Sequence, residues 1–238
     1  IPQTVSEIEE SAFQGCQKLS HVTIPEGITE IKPYTFSDCG LTSLEFPDSL
    51  VKIYDYAFQN LKMQELTIPD HIESCGTGVF ANSYLRNVVL PDSFTEISDN
   101  MFDGSHELRQ VKLPRNLKRI GNKAFSNCYE LRDMVLPEGV TFIGDEAFQL
   151  CGAYATYGAY YSASGFTTIT LPSTLQHIGK NTAKSFIFLT VIFKRISIGI
   201  SGNINGVRLT AVAWHCINSG INRQPDIQYH RNRKNAYN

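Results

Sequence analysis

A recurring proline constrains this chain more than any other feature. Pro2, Pro25, Pro47, Pro69, Pro91, Pro114 and Pro137 follow one another at 22 or 23 residues, and Pro172 comes 35 after the last of them. Most are preceded by Ile or Leu. A unit of that size cannot bury an apolar face by itself. Stacked copies can, so a period in the low twenties predicts an elongated solenoid rather than a globule.

Other positions keep the same time. Phe13, Phe36, Phe58, Phe80, Phe102, Phe125 and Phe148 each lie 11 residues after a proline. Three residues further come Cys16, Cys39, Leu61, Ser83, Ser105, Cys128 and Cys151. Two aliphatic columns sit between proline and Phe, represented by Ile28 and Ile31 in one repeat and by Leu117 and Ile120 in another. Stacking would make each column continuous.

Before each later proline runs a short alternating segment such as Leu108-x-x-Val111-x-Leu113. Alternate apolar residues predict a strand with one buried face. Proline ends it, having no N–H for the ladder. A second short extended piece follows. The Ala-Phe segment after that is expected to form one turn of helix, too short to stand alone. Gly76, Gly121, Gly144 and Gly179, each seven residues after a proline, suggest a tight bend.

The pattern L-x-x-(V/L)-x-(I/L)-P…I-G-x-x-A-F-x-x-C resembles the BspA-type leucine-rich repeat. Leu108 to Cys128 and Leu131 to Cys151 carry it most closely, through Ile120-Gly121-Asn122-Lys123-Ala124-Phe125 and Ile143-Gly144-Asp145-Glu146-Ala147-Phe148. The resemblance covers about residues 1–193. It implies a mainly β leucine-rich repeat solenoid of about eight repeats, with a parallel concave sheet and short helical turns. It also implies a surface protein of a host-associated bacterium or parasitic protist, often adhesive. It brings no catalytic residues and no cofactor.

At 238 residues the chain suffices for one elongated domain. Its net charge of −2 hides an asymmetry: residues 1–193 carry 14 Lys/Arg against 22 Asp/Glu, and residues 194–238 carry 7 against 1. Cys16, Cys39, Cys128 and Cys151 share a column that Leu and Ser fill elsewhere, which reads as a ladder of free thiols packed as small hydrophobes. Bridges between neighbouring rungs, Cys16–Cys39 or Cys128–Cys151, are the other reading. The longest apolar run, Phe186 to Phe193, is eight residues, well short of the ~20 that a membrane helix needs. The start at Ile1-Pro2, inside a repeat, is that expected of a fragment. Beyond Lys194 the columns dissolve, and residues 194–238 read as a divergent cap, a disordered or foreign tail, or a basic segment for an anionic surface. Scattered basic residues with one Trp are a weak signal for nucleic acid.

Two candidate sites emerge. On the outward strand positions, Arg86, Arg109 and Arg132 hold one slot in three consecutive repeats, with Lys112 beside them. Parallel strands lie about 4.8 Å apart, so the guanidiniums would form a row suited to carboxylate or sulfate. Alternatively the face is simply solvated, its arginines paired with Glu107, Glu130 and Asp133. The second candidate is the long gap after Pro137. It holds 12 extra residues, approximately Ala153 to Ser164, including Tyr154, Tyr157, Tyr160 and Tyr161. Tyrosine among small residues is a recognition composition, and insertions in solenoids emerge as loops that often bind. The alternative is a loop folded back over its own repeat.

Enzymatic signatures are missing from the sequence: there is no His-Glu-x-x-His, no Gly-x-Ser-x-Gly and no phosphate loop. His215 beside Cys216 is a nominal nucleophile pair, but neighbours on a strand point to opposite faces. The resemblance implies a non-enzymatic adhesion module at the cell surface, binding a host or cell-surface protein or an acidic polysaccharide; the residues themselves supply a repeat scaffold with a binding face. An intracellular interaction scaffold using the same face is the alternative.

Overall fold

The structure, a computed structural model, describes residues 1–152, 168–182, 190–193, 203–204 and 207–208. The alternating segments before the prolines from Pro69 onward form parallel strands in two sets. Glu65–Thr67, Asn87–Val89 and Gln110–Lys112 pair in register, and Asp133–Val135, Thr168–Leu171 and Thr190–Phe193 form a second set of three. The two sets are separate sheets, so the ladder breaks between Gln110–Lys112 and Asp133–Val135. A second parallel ladder follows the prolines, from Glu30–Ile31 through Lys52–Ile53 to Ser74–Cys75, and from Glu96–Ile97 through Arg119–Ile120 and Phe142–Ile143 to His177–Ile178. Each repeat is thus one coil of a solenoid, and the parallel pairing reaches Phe193. In the segment 194–238, Asn203–Ile204 pairs antiparallel with Val207–Arg208.

The core is the set of stacked columns. Phe36, Phe58, Phe80, Phe102, Phe125 and Phe148 are all buried. From Phe13 to Phe148 the neighbouring rings lie 5.2–6.2 Å apart and within 16° of parallel. Burying a Phe or Ile contributes roughly 1.5–3 kcal/mol, and stacking lets each coil supply the apolar partner for the next. The Cys/Ser column sits beside the rings. Cys39 Sγ donates to Phe13 O (3.0 Å), Cys128 Sγ to Phe102 O (3.3 Å), Cys151 Sγ to Phe125 O (3.0 Å) and Ser105 Oγ to Phe80 O (3.2 Å). Thiol and hydroxyl do the same work there, which explains why the column accepts both. All five cysteines among the described residues are free. Cys216 lies outside them.

The Ala-Phe segment is a run of turns, not a turn of helix. Its N–H groups alternate between two destinations. Ala12, Gln14 and Cys16 donate three residues back within the coil, whereas Ser11, Phe13 and Gly15 donate to Pro33, Thr35 and Ser37 of the next coil. The residues two before and two after the Phe take positive φ to allow this, as Tyr56 (55°) and Asn60 (64°) do around Phe58. A helix would send every N–H back into its own coil and leave the stack unbonded. The glycines seven after proline also have another reason than a bend. None has positive φ. A Cβ on Gly121 would lie 2.4 Å from Asp99 Oδ1 and 2.6 Å from Asp99 N of the preceding coil, so what they permit is close approach between coils.

Candidate functional site

Strand alternation divides the ladder before the prolines into an inner face that builds the core and an outer face free of that duty. In register, Leu66, Val88 and Val111 point inward, while Glu65, Asn87 and Gln110 form one outer row and Thr67, Val89 and Lys112 another. In the second set Met134 is buried, and Val135 beside it is 61% exposed.

The arginine slot is where the outer face becomes charged. Arg86 Nη2 lies 2.8 Å from Glu107 Oε2, its Nε donates to the same oxygen (2.9 Å), and its Nη1 donates to Gln64 Oε1 (3.2 Å). Arg109 Nε donates to Glu130 Oε2 at 2.5 Å. Each of these arginines is therefore held by the glutamate 21 residues ahead, in the next coil. The series stops there. The position equivalent to Glu107 and Glu130 one repeat further on is Gly165, and Arg132 is exposed with no ion-pair partner among the described residues. Lys112 is likewise exposed, with no ion-pair partner among the described residues. Asp133 has a partner of its own. The face thus presents two neutralised arginines and two uncommitted cations. Tyr154, Tyr157, Tyr160 and Tyr161 lie outside the described residues.

Sequence reading missed a second stripe, on the outer side of the ladder after the prolines. Glu96, Arg119, Phe142 and His177 follow one another in register. Arg119 Nε donates to Glu96 Oε1 (2.8 Å), the Arg119 guanidinium lies 4.1 Å from the Phe142 ring centroid, and Phe142 stacks on His177 at 4.5 Å. The signal was one position, five after each proline, occupied by acid, Arg, Phe and His in turn. Because neighbouring side chains cover one another, the stripe fastens the coils together. Two further histidines are engaged as well. His21 Nδ1 lies 2.8 Å from Ser20 Oγ, and His106 stacks on Tyr129 at 4.5 Å. Among the described residues no group of three His, Cys, Asp or Glu could hold a metal, and no helix is long and apolar enough to cross a membrane. His215 and Cys216 are outside the described residues.

With this geometry in hand, the sequence matches the BspA type leucine-rich repeat region in six copies, over residues 1–103 and 51–157. The chain belongs to the BspA-type leucine-rich repeat family. Solved structures agree on the fold. This BspA-type array is similar to a leucine-rich repeat protein from Bacteroides ovatus, with 24% identity and a TM-score of 0.55, covering 81% of this chain and 54% of that one. It is also similar to a leucine-rich repeat protein from Eubacterium ventriosum, with 20% identity and a TM-score of 0.53, covering 82% of this chain and 59% of that one. The array therefore spans a little over half the length of either protein. No curated protein matches it.

Proposed function

We propose that this BspA-type array is a non-enzymatic binding module, displayed at a cell surface and using the outer strand face together with the Tyr-rich insertion to hold a protein or glycan. The observation that carries the reading is the division of labour on the strands. Every inward position is spent on stacking, and the outward positions present exposed Gln110, Lys112, Arg132 and Val135 with no structural duty among the described residues. The surface location and the adhesive role rest on family membership.

The full chain, immobilised on beads, should retain host cells or a specific surface component. Retention no better than on beads carrying a denatured copy would remove the reading. A second reading, an intracellular interaction scaffold using the same face, fits the free cysteines of the described residues equally well, because buried thiols pack as small hydrophobes in either compartment. Locating the protein in fractionated cells separates the two.

A further inference from the structure

The geometry points to an anion subsite on the outer strand face, formed by Lys112 and Arg132 on either side of the break in the ladder, that takes the sulfate or carboxylate groups of a linear acidic polysaccharide. This inference rests on the binding-module reading and narrows it to one place and one ligand class.

Four cations of adjacent coils reach this face, and the structure sorts them. Arg86 and Arg109 are each bonded to a glutamate of the following coil. Lys112 and Arg132 are exposed and have no acidic partner among the described residues. Lys112 lies on Gln110–Lys112 and Arg132 stands just before Asp133–Val135, the one adjacent pair of strands from Glu65 to Phe193 that falls in different sheets. By the 23-residue repeat Arg132 continues the column of Arg86 and Arg109, and Lys112 stands three residues further along the preceding coil. With no carboxylate bonded to either among the described residues, both cations are left to hold a ligand's anionic groups. Exposed Val135 beside the pair offers an apolar contact of the kind a sugar ring can use.

A polysaccharide fits this face better than an acidic protein does. The ladder presents one position per coil, about 4.8 Å apart, an interval of the same order as one sugar unit in an extended chain. A linear polymer with closely spaced acids can therefore reach both uncommitted cations, one in each of two neighbouring coils. A folded protein partner needs a wider complementary area.

The test uses the full chain with dextran sulfate, hyaluronan and neutral dextran as probes, measured across a salt series. Lys112→Ser/Arg132→Ser should lower affinity for the charged polymer by at least about tenfold and flatten its salt dependence. Glu107→Gln/Glu130→Gln, which frees Arg86 and Arg109, should raise affinity. Preference for dextran sulfate assigns the subsite to sulfate, and preference for hyaluronan assigns it to carboxylate. Wild-type affinity in the Lys112/Arg132 variant, or equal binding of dextran, overturns the proposal. Cell retention is measured in parallel. If cells are held while no polymer binds, and protease treatment of the cells abolishes retention, the face serves a protein, and the polysaccharide inference falls while the binding module stands. If neither cells nor polymers bind, both fall.

Discussion

The glycines that recur seven residues after proline obey a rule that no single coil contains. Asp55 Oδ1 accepts the Thr77 N–H (2.7 Å), Asp99 Oδ1 that of Asn122 (2.7 Å), Asn122 Oδ1 that of Asp145 (2.8 Å) and Asp145 Oδ1 that of Lys180 (2.7 Å). In each case the residue just before the donor is glycine: Gly76, Gly121, Gly144 and Gly179. Where the preceding coil offers no Asp or Asn at that position, glycine is absent. Thr77 is followed one coil on by Ser98, and Pro33 by Tyr54. The carboxylate or amide draws the next coil close, and only a residue without Cβ fits the closed gap. Gly121→Ala should therefore cost about 1–3 kcal/mol by overpacking, and Asp99→Ala about 1 kcal/mol for the lost bonds. Combined, they should cost less than their sum, by roughly 0.5 kcal/mol or more, because they act on one gap. Denaturant unfolding of the three variants measures this, and strict additivity would refute the coupling. A second residue-scale outcome concerns the thiols. Burial pushes Cys39 up to about 11, and Cys128 and Cys151 are also raised by burial, while Cys16 is exposed. At neutral pH a maleimide should label Cys16 within minutes and leave Cys39, Cys128 and Cys151 unlabelled until the chain is denatured, as mapped by peptide mass spectrometry.

At the scale of the coil, the ring stack makes position along the array an energetic variable. Phe102 is buried between Phe80 and Phe125, at 6.0 and 5.5 Å. Phe13 is only partly buried and stacks on Phe36. Phe102→Ala should cost about 3–5 kcal/mol, and Phe13→Ala less than half of that. Equal shifts of the denaturation midpoint would mean that the stack is not the main source of coupling between coils. These columns were legible in the sequence because the same apolar residue type returns at the same offset in many repeats. The segment around each Phe was not. Its turns need positive φ at Tyr34, Tyr56, Lys123 and Glu146, residue types that do not signal such a backbone. The demand comes instead from hydrogen bonds to the next coil. The charged face was legible only in part. The residues that could pair with the arginines stood in the sequence, but which arginine finds a glutamate depends on the 21-residue offset between coils and on its interruption at Gly165. The Arg119–Phe142–His177 stripe escaped notice because its column changes residue type at every coil and shows no repetition to read.

Over the whole molecule, the long repeat after Pro137 tests how far an array tolerates departure from its period. Its extra 12 residues sit between coils that remain in register, since Asp133–Val135 pairs with Thr168–Leu171 and Phe142–Ile143 with His177–Ile178 across it. The backbone of the stack therefore closes as it would around an ordinary repeat. Lengthening a surface loop costs little, because closure entropy grows only with the logarithm of its length. Removing Ala153–Ser164 restores a 23-residue repeat and should leave the thermal midpoint within a few degrees of the original, as a change below about 1 kcal/mol does in a chain of this size. If the insertion exists for recognition, the deleted chain should melt normally and lose retention of cells on beads. A fall in the midpoint beyond about 10 °C, more than double that allowance, would show that Tyr154, Tyr157, Tyr160 and Tyr161 cover core. It would move the binding role onto the strand face alone.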